Sequence, residues 1–100
     1  MSVENLDQVK SLALDLQTQE PRPKSETLAG FRGGKRALDK CRATLAGTPG
    51  DFIFNCPADQ RFFAAAGIDA EEFKREVATG ADDAHMEEWV KARAKPASQE

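Results

Sequence analysis

Apolar residues recur at helical spacing along most of the chain. Leu6, Val9, Leu12, Ala13 and Leu16 fall at i, i+3, i+6, i+7 and i+10, one face of a helix that Asn5 or Ser2 could cap. Thr18 to Lys24 carries Pro21 and Pro23, each biasing its predecessor away from helical geometry, and reads as a connector. A second helix is predicted from about Lys35 to Ala46, with Leu38, Cys41 and Leu45 inward and Gly47 in the left-handed C-cap position. Pro49-Gly50 then marks a turn. Asp51-Phe-Ile-Phe-Asn55 alone has strand character; it is too short for a sheet and is expected to be a buried extended segment. Pro57 suits a first helical turn, so a helix is predicted over Pro57–Ala66, closed by Gly67, with Phe62, Phe63 and Ala66 on one side. Asp69-x-x-Glu72 forms a capping box for a short helix carrying Phe73 and Val77 and ended by Gly80. Asp82 or Asp83 caps a last helix in which Met86, Trp89, Val90 and Arg93 share a face.

These elements predict an all-α fold: four to five short helices around one small core, with a short extended segment at 51–55. Residues 1–20 are expected to form an amphipathic helix and connector, 21–93 a single helical domain, and 94–100 a disordered tail. The 100 residues, 40% hydrophobic and 31% charged, suit one ordinary globular domain. A net charge of −3 argues against a generic polyanion binder, and nucleic acid is not an expected partner. The acidic start and the lack of a long apolar run predict a cytoplasmic chain with no membrane partner.

Cys41, Cys56 and His85 are the only residues of their kinds, and the cysteines lie 15 positions apart, so structural zinc lacks its ligand spacing. No nucleophile elbow accompanies His85, which weighs against a histidine-based triad. No metal and no cofactor are expected, and the two cysteines read as reduced thiols. His85 lies four residues before Trp89, so the two can touch as packing.

Charge is segregated. Residues 21–50 carry seven bases against Glu26 and Asp39, while residues 68–90 carry eight acids against Lys74 and Arg75. Either the basic face receives an anion or a partner, or the two faces attract each other within the fold. Gly30-Phe-Arg-Gly-Gly-Lys-Arg36 leads into a helix start, where free amides favour an anion, but it departs from a P-loop: Arg36 stands where Ser or Thr is required. A flexible turn with solvated bases is the alternative. Cys56, beside the first turn of the Pro57 helix, is placed for thiolate stabilisation, opposed by Asp59 in the same turn. Asp59 precedes Phe62 and Phe63 by three and four residues, which predicts partial burial and a partner among Lys40, Arg42, Gln60 and Arg61. Asn55, Cys56, Asp59 and Arg42 thus form either a polar pocket or a capping and salt-bridge cluster.

The blocks Asp39-Lys-Cys-Arg-Ala-Thr-Leu-Ala-Gly47, Asn55-Cys-Pro-Ala-Asp-Gln-Arg-Phe-Phe63, Gly67-Ile-Asp69 and Gly80-x-Asp-Asp…Trp89-Val90 resemble a bacterial family, the domain of unknown function 5069. The resemblance spans about Pro21 to Val90, and its most specific part is Asn-Cys-Pro-x-Asp-Gln. It implies a small helical domain and maps shared polar positions onto Asp39, Lys40, Arg42, Asn55, Cys56, Asp59 and Gln60. The chain departs from the family pattern at Arg32-Gly-Gly-Lys35, where bulkier apolar residues are expected; a pocket covered there in relatives would be either more open here or lost. The leading functional expectation is a binding module that recognises a small anionic ligand or a partner protein through Arg36, Asp39, Lys40, Arg42, Asn55 and Gln60. One alternative is a small enzyme with Cys56 as nucleophile or Asp59 as general acid/base. Another is an accessory subunit that docks a larger protein.

Overall fold

The computed structural model describes residues 5–94. In chain order they form α1 (Leu6–Leu12), β1 (Thr27–Leu28), β2 (Phe31–Arg32), α2 (Gly34–Ala46), α3 (Pro57–Ala66), α4 (Ala70–Val77) and α5 (Asp83–Arg93). The fold is mostly helical, as the periodicity predicts. None of the described helices is long and apolar enough to cross a membrane. Ser2 and most of the expected tail lie outside the described residues.

α1 ends earlier than its apolar spacing suggests. Ala13 is already extended, at φ −74° and ψ 143°, and Asn5 precedes the helix without a side-chain cap bond. Leu16 is buried from the connector, where its N–H donates to Thr48 O at 3.0 Å. α1 packs against α2, and the Asn5 N–H is fastened to Ala78 O at the end of α4.

A hairpin stands at 27–32 that the sequence does not announce, while 51–55 runs without a strand, as its length predicts. β1 and β2 pair antiparallel with Leu28 opposite Phe31. The linking residues Ala29 and Gly30 both have positive φ, 56° and 85°, as a two-residue primed turn demands. Segment 51–55 has no ladder partner and is not buried as a unit. Phe52 lies beneath the Arg36 guanidinium and Phe54 packs on the rings of Phe63 and Phe73, whereas Ile53 is 71% exposed. Successive side chains of an extended segment point to opposite sides, so only alternate ones turn toward the fold.

α2 and α3 position the site. Gly34, the first residue of α2, is buried so tightly that a Cβ there would lie 2.4 Å from Leu28 Cβ and 2.8 Å from Phe62 Cε1. Gly47 closes α2 at φ 84°, with Thr48 N–H donating to Ala43 O and Gly47 N–H to Thr44 O. Gly67 closes α3 in the same way, through Ile68 and Phe63. Gly34 meets Phe62 while Lys40 meets Asp59, so the two helices run in opposite directions along their seam. Leu28, Leu38, Phe62, Phe63, Phe73, Met86 and Val90 form the core beneath it, with Leu45 and Trp89 partly buried at its edge. Asp82, not Asp83, caps α5 by accepting the His85 N–H. The His85 ring turns to the Glu76 carboxylate, while Trp89 packs on Phe73 and under Arg93.

Candidate functional site at the α2–α3 seam

Cys56 is the N-cap residue of α3. Pro57 follows at the first helical position, where its missing N–H costs nothing and its fixed φ starts the helix. The chain enters this turn through Asn55 at φ 66°, a left-handed conformation that asparagine tolerates better than most side chains. Two residues of the first turn hold the entry in place. Asp59 Oδ2 accepts the Asn55 N–H at 2.9 Å, and Gln60 Nε2 donates to Asn55 O at 3.0 Å.

Lys40 completes the arrangement from α2. Its Nζ lies 3.0 Å from Asp59 Oδ2 and donates to Cys56 Sγ at 3.1 Å. The Lys40 and Asp59 side chains are only 5% and 2% exposed, so both charges are largely withdrawn from water and depend on each other. Cys56 is half-buried. Partial burial pushes its thiol up, but the Asp59 amide, the Lys40 ammonium and the Ala58 amide together bring it below its ordinary value, against the opposing Asp59 charge. The amides face the sulfur without closing a full capping bond. Cys41 makes the contrast: it is fully buried on α2, and burial pushes its thiol strongly up. Both cysteines are free thiols.

Asp39 and Arg42 belong to a different cluster. Residues 40 and 42 sit roughly 200° apart around a helix, so Arg42 points away from α3. It donates to Asp83 Oδ1 at 2.8 Å and to Ala81 O at 3.0 Å. Arg22, from the connector, clasps Asp39 through its backbone N–H and its guanidinium and reaches Asp83 Oδ2 at 2.8 Å. Burial pushes the Asp83 carboxyl up, but Arg22 and Arg42 outweigh this and hold it down at about 2. The clasp ties connector, α2 and α5 together. It also accounts for part of the charge segregation, since two bases of the 21–50 segment pair with an acid of the 68–90 segment.

A cleft of about 380 Å³ opens between the hairpin end, the start of α2 and the outer face of α3. Lys24, Arg32, Arg36 and Arg61 flank it, Ala58, Phe62 and Ala65 give it an apolar floor, and Asp59 forms the wall shared with the thiol cluster. Among the described residues, none of these four cations forms an ion pair. Arg36 additionally stacks over Phe52, 5.6 Å from the ring centre.

Of the residues singled out in the sequence, the structure therefore joins Lys40, Asn55, Cys56, Asp59 and Gln60 at one junction. Arg36 stands one turn from Lys40 on the same side of α2, while Asp39 and Arg42 are on the clasp side. The sequence offers Arg32 only within the Gly30–Arg36 loop and Arg61 only as a partner for Asp59, and it gives neither Lys24 a place in a site nor Arg22 and Asp83 a clasp. For Arg22, Lys24 and Arg32 the visible signal is the excess of positive charge over residues 21–50; Arg61 and Asp83 lie outside that run. Among the described residues, no cluster of three or more His, Cys, Asp or Glu side chains is suited to a metal ion. No curated protein matches the chain. Residues 18–100 match the family described as Domain of unknown function (DUF5069), and the chain belongs to that family.

Proposed function

We propose that this protein is a small cysteine-dependent enzyme in which the Cys56 thiolate attacks an electrophilic substrate. The observation that carries the reading is the position of Sγ: at the α3 N-cap, half-buried, 3.1 Å from an ammonium that is itself buried. The thiolate, not the thiol, is the nucleophile, and a helix N-terminus with an adjacent cation is the environment that favours it. Lys40 stabilises the thiolate. Asp59 fixes Lys40 and, through the Asn55 N–H, the turn that presents Cys56; it is a positioning residue. Its Oδ2 is occupied by two donors, which makes it a poor general acid/base. The two free cysteines suit a reducing compartment, and we place the protein in the cytoplasm.

Site-resolved alkylation over pH 5–10, followed by mass spectrometry, tests the reading. Cys56 is expected to react with a midpoint below the ordinary thiol value of 9.0, while Cys41 stays unreactive until the chain unfolds. A Cys56 that reacts only as an ordinary thiol, or not at all, refutes it. A second reading is favoured by the cationic cleft: a module that holds a small anion or a partner protein without turnover. Under that reading Cys56→Ser leaves binding intact, whereas a nucleophile cannot be replaced by serine in this setting without losing its reaction.

A further inference from the structure

Four cations around one concavity have no ionic partner in the described fold, and like charges gathered in a cleft raise each other's energy unless an anion joins them. The single carboxylate in the cleft wall, Asp59, is already committed to Lys40 and the Asn55 N–H. The cleft volume, about 380 Å³, lies in the range of small-molecule sites, and its floor of Ala58, Phe62 and Ala65 is apolar. Three of the four cations are arginines, whose planar forks match carboxylate and phosphate oxygens in pairs. The rest of the molecule disfavours an extended polyanion: the chain is −3 overall and residues 68–90 are strongly acidic.

Cys56 does not itself line the cleft but lies beside it, since Asp59 in the cleft wall pairs with the Lys40 that donates to Cys56 Sγ. Arg36 and Lys40 are one turn apart on α2, a rise of about 6 Å, and Lys40 touches Cys56 Sγ. We infer that the cleft flanked by Lys24, Arg32, Arg36 and Arg61 binds the carboxylate or phosphate of a small substrate whose electrophilic atom, about one helical turn away, faces Cys56. This rests on the reading of Cys56 as a nucleophile and names the substrate class for it.

Two aromatic disulfides test the inference on the full chain. Dithiobis(nitrobenzoate) carries a carboxylate on each ring, about that distance from its sulfur; dithiodipyridine is uncharged. In both, the Cys56 thiolate attacks one sulfur, a protein–reagent disulfide forms, and the reagent's S–S bond breaks. The second aromatic thiolate leaves with the electron pair, so no outside oxidant is required. The rate ratio of anionic to neutral reagent is divided by the same ratio for the chain unfolded in urea, which removes intrinsic reactivity. That normalised ratio is expected to be about ten or more at low salt, in line with electrostatic focusing in clefts. It should fall several-fold in Arg32→Gln and in Arg61→Gln, both at exposed positions. Inorganic phosphate should slow the anionic reagent more than chloride does at equal ionic strength, and leave the neutral one unaffected. A normalised ratio near one, with Cys56 reacting readily with dithiodipyridine, overturns the cleft assignment and leaves the nucleophile standing. A Cys56 inert to both reagents overturns the nucleophile and the inference with it.

Discussion

Replacing Lys40 by methionine separates what the α2–α3 pair does for stability from what it does for the thiol. Methionine keeps most of the side-chain volume and removes the charge. Asp59, 2% exposed, then retains the Asn55 N–H but loses the ammonium at 3.0 Å. Leaving one charge of a buried pair without its partner costs about 3–5 kcal/mol. For a domain of this size each kcal/mol lowers Tm by about 4–8 °C, so the midpoint should fall by at least about 12 °C. Lys40→Met/Asp59→Asn removes both charges while an amide oxygen can still accept the Asn55 N–H, and should recover most of that loss, because no unpaired buried charge remains. Urea titrations of the parent, the two single variants and the double variant give the coupling energy. The thiol reports separately. With the ammonium gone the Cys56 alkylation midpoint should rise in Lys40→Met, and the double variant should stay slow at neutral pH although its stability returns. A loss below about 1 kcal/mol in Lys40→Met would show that the pair is not desolvated, and the argument from its burial would fail.

Two further outcomes follow from the same accounting. Asp83 has a carboxyl held at about 2, against an ordinary 3.8, by Arg22 and Arg42. A depressed carboxyl contributes stability that is present above its unfolded value and is lost as pH falls through its folded one. Asp83→Asn should therefore be less stable than the parent at pH 7, with the gap closing between about pH 4 and pH 2; a pH-independent gap in urea titrations would contradict the clasp. Gly34→Ala must fit a Cβ within 3 Å of both Leu28 and Phe62 and should cost about 1–3 kcal/mol, read as a lowered Tm; an unchanged Tm would show that the hairpin can move off α2.

How much of the fold was visible in the residues depends on element length. α2, α3 and α5 each run ten residues or more and end or begin on residues with a fixed mechanical role, Gly47, Cys56-Pro57, Gly67 and Asp82. Their boundaries could be read almost to the residue. The hairpin could not, because two-residue strands leave no alternation to detect and Ala29-Gly30 is not the usual sequence of a primed turn. At 51–55 the expectation of a segment outside any sheet holds, and only its burial does not. Three consecutive apolar residues suggest burial throughout, but side chains alternate along the extended chain, so Phe54 packs on the core while Ile53 is 71% exposed.

The two charged sites divide along a similar line. The thiol junction was legible because its logic is local: Cys56, Asp59, Asn55 and Gln60 lie within six residues and act through one helix terminus. Lys40, the one distant member, was among the partners that a buried Asp59 demanded. The cleft draws Lys24 from the connector, Arg32 from the hairpin, Arg36 from α2 and Arg61 from α3, so no window of sequence contains it. Nor does the positive run over residues 21–50 behave as one feature. Arg22 and Arg42 are spent on Asp39 and Asp83, Lys40 is spent on Asp59, and only what remains after those pairings is available to a ligand. Charge in a sequence is a gross quantity, while recognition depends on the net quantity left after the fold has paired its own ions. Helix periodicity alone separates Lys40 from Arg42, and that separation already removes one of the three bases, Arg36, Lys40 and Arg42, that a linear reading groups.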